Sequence, residues 1–213
     1  KTFQFSGVKD VREALARAER GGMLNPRELL TIAGLLTNSR RVREYYEADQ
    51  GEGTVLDRMF DSLHANRFLE DKITTSILSE DEIADAASPE LADIRRHKRA
   101  ASAKGRQILQ KIISSPSYKS TLQEALITQR DGRFVVPVKA DHRGDLPGLV
   151  HDISASGATL FVEPMGVVQA NNELKELEAK EKKEIERILF ALSAEAAGFA
   201  EAILWDYDIP VHL

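Results

Sequence analysis

The chain has 213 residues, 42% of them hydrophobic, which is enough for one large domain or two small ones. It contains no cysteine, so disulfides and thiolate metal sites are excluded and a reducing compartment fits. The net charge of −5 argues against general polyanion binding by the whole chain, and no apolar run approaches the roughly 20 residues of a membrane span.

The first part of the chain has helical patterns. Residues 7–20 carry apolar side chains at three- and four-residue steps before Gly21-Gly22, which indicates a short amphipathic helix. Asn25 suits the N-cap of a second helix, with Pro26 at its first position, that runs to about residue 47.

Shorter elements complete this part. Residues 54–63 and 67–77 predict two short helices, and the acidic residues 79–85 predict a loop or a short β-turn. We therefore assign residues 1–87 to a helical core. The chain lacks an initial Met and its end is apolar, so we expect a piece of a longer protein.

A long helix is predicted next, over residues 88–115, because Ser88-Pro89-Glu90 follows the cap-then-proline rule. Its apolar seam is thin, closer to a coiled-coil stripe than to a broad globular face. From residue 95 to residue 111 the other faces carry seven cations and no acidic residue: Arg95, Arg96, Lys98, Arg99, Lys104, Arg106 and Lys111. Such a run is most often a solvated helix face, and contact with nucleic acid is the alternative interpretation.

Residues 116–164 contain the β-structure. Asp131-Gly132 between two strand-like runs predicts a hairpin with a type I′ turn, which puts Arg130 opposite Arg133. Because side chains alternate along a strand, both arginines share one face with Lys139. Pro137 has no N–H to donate, so this strand is predicted to be an edge or to carry a bulge.

A second hairpin is predicted over residues 149–154 and 159–162, after a polar loop that contains His142 and Arg143. Two arginines opposite each other repel, and an anionic partner would relieve that repulsion. We therefore predict anion contact, of the sequence-independent phosphate type, at Arg130, Arg133, Lys139, His142 and Arg143.

No catalytic constellation is recognisable. The chain has neither phosphate-loop signature, G-x-x-x-x-G-K-[ST] or G-x-G-x-x-G, and its five histidines have no metal-ligand spacing. His151 and Asp152 are neighbours on a predicted strand, so they are expected to point to opposite faces and not to pair. We predict no catalytic residue, no metal and no cofactor in this chain.

The last and longest helix is predicted from Pro164 to about residue 207, with a seven-residue apolar rhythm. At ~1.5 Å per residue it spans roughly 60 Å, which is too long for one small core to cover. It is therefore expected to pack on the helix of residues 88–115. The predicted fold class is mainly α with a small antiparallel β insertion, carried by two long antiparallel helices.

The stretch from ITQRDGRFVVPVKADHRGD through SASGATLFVEP to NNELKELEAKEKKEIERIL resembles the bacterial MutS2 family, the MutS paralogues with a C-terminal Smr domain. The VPVK, SASGATLFVEP and NNEL spellings carry the resemblance, and the upstream ASPELADIRR and GVKDVREALARAERGGMLNPRELL also fit. It covers essentially the whole chain.

This resemblance implies a core, lever and clamp region. It implies a helical core over 1–87, an ascending lever helix over 88–115, a β-rich clamp over 116–164 and a descending lever helix over 165–213. Such proteins are dimeric ATPases and endonucleases that bind branched DNA and suppress recombination. Their ATP, Mg²⁺ and nuclease sites are expected outside this chain, and the localisation is expected to be cytoplasmic and nucleoid-associated.

Two alternatives remain open at this point. The β-rich part could dock on ribosomal RNA and protein, as expected for a factor that acts on stalled ribosomes. The whole region could instead be a dimerisation and spacer element, with all of the chemistry in other domains.

Overall fold

The computed structural model of the protein describes residues 8–48 and 66–208. Within these ranges the structure is mainly helical with two small antiparallel sheets, which confirms the predicted fold class. The predicted helix over 54–63 lies outside the described residues. The described residues divide into two compact units, one within residues 1–92 and 183–213 of the chain and the other formed by residues 93–182.

The first unit is a helical core. Its elements are α1 (Val8–Glu19), α2 (Pro26–Ala48), α3 (Arg67–Ser76), the two short strands β1 (Ile77–Ser79) and β2 (Glu82–Ile83), the start of α4 (Pro89–Ile113), the end of α5 (Val168–Gly198) and α6 (Ala200–Asp208). Its apolar centre contains fully buried leucines and isoleucines of α1, α2 and α3, among them Leu15, Ile32 and Ile73.

Capping explains where two of these helices begin. The Asn25 side chain accepts a hydrogen bond from the Glu28 backbone at 2.8 Å, and the Glu28 carboxylate accepts one from the Asn25 backbone at 3.2 Å. This reciprocal capping box confirms the predicted start of α2. At α4, the Ser88 hydroxyl accepts from the Leu91 backbone at 2.9 Å and donates to Glu184 at 2.8 Å.

The second unit contains a four-stranded antiparallel sheet of order β3-β4-β6-β5. Its strands are β3 (Thr128–Arg130), β4 (Arg133–Lys139), β5 (Gly148–Ile153) and β6 (Thr159–Pro164). The helical parts of this unit, residues 93–113 of α4 and 168–182 of α5, share one apolar core with the sheet. Arg95 pairs with Glu181 while Gly105 adjoins Ala170, so the two helices run antiparallel within the unit.

The first hairpin has the register that the Asp-Gly turn predicts. Arg130 lies opposite Arg133 and Gln129 opposite Phe134. Asp131 and Gly132 have φ values of 52° and 73°, as a type I′ turn requires. The side chains of Phe134, Val136 and Val138 enter the core, so the opposite face of β4 carries Arg133.

Pro137 corrects one prediction, because β4 is an inner strand and its register with β6 is regular through this residue. The carbonyl of Pro137 accepts a hydrogen bond from the Gln123 backbone at 3.0 Å, on the side away from β6. A strand residue directs its N–H and C=O to the same side. The N–H that Pro137 lacks would therefore point away from β6, toward the segment that pairs with β4 through the isolated bridge Leu122–Val138. The hydrogen bonds between β4 and β6 are therefore unaffected by the proline.

The long C-terminal helix also differs from its prediction. Pro164 ends β6, opposite Gly148, and a 3₁₀ turn (Met165–Val167) precedes the helix, which begins at Val168. The helix is interrupted at Phe199, whose N–H donates to Ala196 in a 3₁₀-type bond. Gly198, a weak helix former, adjoins this break.

Candidate nucleic-acid interface

The two units differ in charge. Residues 93–182 contain 15 Lys/Arg and 11 Asp/Glu, a net charge of +4. The rest of the chain contains 14 Lys/Arg and 23 Asp/Glu, a net charge of −9. The overall −5 therefore conceals a basic unit, which contains every cation predicted from the sequence to contact an anion.

Arg130 lies across the outer face of the sheet. Its guanidinium carbon is 3.9 Å from the centre of the Phe161 ring, and its Nε donates to the Asp152 carboxylate at 3.0 Å. Further donors of the same guanidinium reach the Thr128 hydroxyl at 3.2 Å and the Gln129 carbonyl at 2.7 Å. The side chain remains 34% exposed, so Arg130 is held in place and can still be reached from solvent.

Arg133 has a different environment, although it lies directly opposite Arg130. Its guanidinium pairs with Glu163, which is fully buried, and donates to the Asn172 amide at 2.8 Å. Only 12% of the Arg133 side chain is exposed. The repulsion expected between the two arginines is thus relieved by two carboxylates of the same chain.

Glu163 is the centre of a buried polar cluster. Besides Arg133, it accepts hydrogen bonds from the Asn171 amide at 2.6 Å and from His151 Nε2 at 3.3 Å. Burial would raise the pKa of Glu163, but the hydrogen bonds from Arg133, Asn171 and His151 outweigh it and hold the pKa below its ordinary value. The same Asn171 side chain bonds both backbone groups of Phe134, at 3.1 Å each, and so ties β4 to α5.

The five predicted contact residues do not form one cluster. Arg133 and Lys139 are at opposite ends of β4, six residues and roughly 20 Å apart. The Asp131-Gly132 turn lies beside the helices of its unit, since Arg133 reaches Asn172 and Phe134 adjoins Gly105. The hairpin turn is therefore not a free tip.

The other three residues lie at the far end of the sheet. Lys139 ends β4, and His142 and Arg143 follow in a 3₁₀ segment (Ala140–Asp145). His142 Nδ1 is 2.8 Å from the Asp145 carboxylate. Within the described ranges, no carboxylate lies within ion-pair distance of Lys139 or Arg143.

A bulge in β5 corrects the prediction for His151 and Asp152. Val150 pairs with Val162 but Asp152 pairs with Phe161, so one extra residue breaks the alternation. Both side chains lie on the outer face, where His151 contacts Glu163 and Asp152 contacts Arg130. They have separate partners: Asp152 forms an ion pair with Arg130, and His151 Nε2 lies at hydrogen-bond distance from the Glu163 carboxylate.

The cations of α4 have several different environments. Arg95 and Lys98 both pair with Glu181, and burial of Glu181 is outweighed by these hydrogen bonds, which lower its pKa. Arg96 pairs with Asp93 within the helix. The four remaining cations of this helix have exposed side chains: Arg99, Lys104, Arg106 and Lys111. Among the described residues, Lys104 and Lys111 have no carboxylate partner.

Three residues of this region were not predicted from the sequence: Phe161, Glu163 and Asn171. Glu163 follows the apolar run LFV, and a carboxylate that is buried in such a strand needs a cationic partner. That pattern is the available signal for the Arg133 pair. The stacking of Arg130 on Phe161 depends on strand order, which the sequence does not reveal.

The described ranges contain no group of three or more His, Asp or Glu side chains arranged to hold a metal ion. None of the helices in these ranges combines the length and the apolar character that a bilayer crossing requires.

No protein-family model matches the chain. It is 49% identical over 193 residues to Endonuclease MutS2 of Ruminiclostridium cellulolyticum, an alignment that covers 90% of the chain and 24% of the relative. Endonuclease MutS2 of Pelotomaculum thermopropionicum is 50% identical, over 92% of the chain and 25% of the relative. Endonuclease MutS2 of Lachnospira eligens is 43% identical, over 100% of the chain and 27% of the relative.

The chain thus spans about a quarter of the length of the curated relatives it matches. These similarities support the interpretation of this chain as a region of a MutS2-family protein.

Proposed function

We propose that this chain is a DNA-binding region of a MutS2-family protein and contacts the phosphate backbone through residues 93–182. The observation that carries the proposal is the charge division: a unit of net +4 in a chain of net −5. Phosphate contacts by Lys and Arg supply most of the sequence-independent affinity for DNA. The relatives are named as endonucleases, which supports DNA as the polyanion.

Within this proposal the second unit acts as a lever and clamp. The antiparallel segments of α4 and α5 support the sheet through a shared core, as two lever helices would. The contact residues are Arg130 on the outer face of the sheet and Lys139, His142 and Arg143 at its far end. Arg133 is not among them, because its charge is already matched by Glu163.

The chain's contribution is binding, and the ATPase and nuclease chemistry belongs to the rest of a longer, dimeric protein. In that protein the region would help to hold branched DNA and to restrain recombination. A direct check is incubation of the chain with a four-way junction and Mg²⁺, in which we expect a complex and no cleavage products.

The main test replaces Arg130, Lys139 and Arg143 together with Gln and leaves Arg133 in place so that the Glu163 pair survives. Because three phosphate contacts are removed, the salt slope of junction binding should flatten by about two to three, with a loss of affinity of about tenfold or more at low salt. Fluorescence anisotropy of a labelled four-way junction across a salt series measures both quantities.

The matched control replaces Arg20, Arg27 and Arg67 of the first unit with Gln, which removes the same charge from exposed positions. Equal losses in both variants would mean that only net charge matters, and unchanged binding in the first variant would overturn the proposal. Competition with purified ribosomes distinguishes the ribosomal alternative from DNA binding. A region that binds ribosomes would release the junction when ribosomes are added.

A further inference from the structure

We infer that a groove between α4 and the Asp131-Gly132 turn is a phosphodiester-binding site. The cations of α4 that line this groove form the binding flank of the helix, and those that face solvent form its solvated flank. This inference rests on the proposed function, because it specifies where a nucleic-acid backbone lies. The groove belongs wholly to the second unit, is open to solvent and has a volume of about 420 Å³.

Three elements form the walls of the groove. The helix α4 contributes cations and a hydroxyl, the first hairpin contributes an amide and the turn backbone, and α5 contributes Leu174 and Glu178. Its lining side chains with donors are Lys98, Arg99, Ser102, Arg106 and Gln129. With Glu181, which pairs with Lys98, the groove has three cations against two carboxylates, and this excess of positive charge favours an anionic ligand.

Arg106 is the central residue of the argument. Its guanidinium carbon is 5.1 Å from the centre of the Phe134 ring, and Phe134 is only 2% exposed, so the ring is a fixed platform. The Arg106 side chain itself is exposed, and no carboxylate lies within ion-pair distance of it in the described part of the chain. A guanidinium that is positioned by stacking and keeps its hydrogen-bond donors suits bidentate contact with a phosphate.

The turn leaves room for a backbone to approach. Gly132 lines the groove, has φ 73°, and a Cβ built on it would meet no heavy atom within 4 Å. The neighbouring Gln129 is exposed and can donate its amide to a second phosphate oxygen. The hairpin thus contributes to binding through Gln129 and the turn, in addition to its arginines.

Helix geometry places Lys104 and Lys111, the two α4 cations outside the groove that have no carboxylate partner among the described residues, on another side of the helix. At 3.6 residues per turn, Lys111 is about 140° and Lys104 about 160° around the helix from Arg106. Lys104 and Lys111 do not line the groove. They are the solvated flank, although the sequence pattern made all seven cations equivalent.

Two substitutions test the groove in the 213-residue chain, each with a matched control. Arg106→Gln removes the stacked charge, and Lys111→Gln removes one charge from the solvated flank. Gln129→Glu places a carboxylate in the groove, and Gln123→Glu places one on an exposed residue of the same unit outside it. The probe is a labelled 30-nucleotide duplex, with circular dichroism and melting temperature to verify that each variant is folded.

We expect Arg106→Gln to weaken binding about three- to tenfold and to flatten the salt slope by about one, and Gln129→Glu to weaken it at least as much. Lys111→Gln and Gln123→Glu should each change affinity less than twofold. If the Arg130/Lys139/Arg143 variant loses binding while both groove variants retain it, the groove inference is wrong and the proposed function stands.

If the unmodified chain binds no duplex or junction, the proposed function fails and the groove fails with it. A polyglutamate peptide of the same charge serves as competitor in the same assay. Displacement of the duplex at equal concentration would overturn the phosphodiester assignment in favour of an acidic protein partner.

Discussion

Arg130 and Arg133 are the same residue type at directly opposed positions, yet their surroundings give them different roles. Arg133 is 12% exposed and pairs with a buried carboxylate, whereas Arg130 is 34% exposed and stacks on Phe161 beside an exposed Asp152. Removing a partner from a buried pair leaves an uncompensated charge, which costs about 3–5 kcal/mol, but an exposed pair contributes at most about 1 kcal/mol. Arg133 is therefore expected to stabilise the fold, whereas Arg130 remains accessible from solvent.

Glu163→Gln is expected to lower the free energy of unfolding by about 3 kcal/mol, because the buried Arg133 then lacks its countercharge. Glu176→Gln, at an exposed position of α5, should change it by less than about 0.5 kcal/mol. Urea unfolding followed by circular dichroism measures the difference. A loss below 1 kcal/mol for Glu163→Gln would contradict this account of the cluster.

The same cluster predicts a dependence on pH. The pKa of Glu163 is lower in the folded chain than its ordinary value of 4.5, so its stabilisation is fully present above pH 4.5 and is lost as the pH falls through the folded pKa. Glu70, Glu181 and Glu184 have pKa values shifted in the same direction. Acid should therefore destabilise the chain, and Glu163→Gln should lose part of that dependence.

At the scale of elements, the hairpin β5–β6 is built around a close backbone approach. A Cβ on Gly148 would lie 2.3 Å from the Glu163 carbonyl oxygen and 2.7 Å from a Val162 methyl. Real Cβ atoms do not approach backbone oxygen so closely, so the strand would have to shift. The glycine therefore allows β5, the edge strand that carries Asp152 and His151, to approach the backbone of β6 closely.

Gly148→Ala should accordingly destabilise the chain by about 1–3 kcal/mol through overpacking. Gly144→Ala is the matched control, because a Cβ there meets no atom within 4 Å, and it should be neutral or stabilising by up to about 1 kcal/mol. Thermal unfolding of both variants provides the comparison. Equal stability of the two would mean that β5 adapts to the added methyl group without cost.

Local sequence patterns were sufficient for the elements whose causes are local. The register of the first hairpin follows from Asp131-Gly132, and the start of α2 follows from Asn25 and Glu28, since turn and capping chemistry involve only a few neighbouring residues. Pro137 was misjudged because its cost depends on which side of β4 has a partner strand. The His151-Asp152 bulge was missed for the same reason: pairing is a property of two strands.

The candidate site was predictable only in part. The sequence identified the cations of the hairpin and of α4, but it could not show that Arg133 is neutralised by Glu163, 30 residues away along the chain. It also could not show that Arg106 stacks on Phe134. Both facts depend on long-range packing, which selects a few usable cations from a larger set.

At the scale of the whole molecule, charge is distributed by unit, +4 in residues 93–182 and −9 in the remainder. A polyanion would be attracted by the first of these and repelled by the second, so binding should be local. Overall composition conceals this, since a chain of net −5 would not be selected as a DNA-binding protein. The partition into units is what makes the charge informative.

Amide hydrogen exchange with and without a four-way junction tests this local binding. Protection on binding should be confined to residues 93–182 and be strongest in segments 98–106 and 128–145, which contain the groove and the outer-face cations. Segments 8–48 and 183–208 should exchange at the same rate in both states, because the net −9 of their unit disfavours contact with phosphate. Protection concentrated in α1 and α2 would instead place the DNA on the acidic unit and would require a mechanism other than phosphate neutralisation.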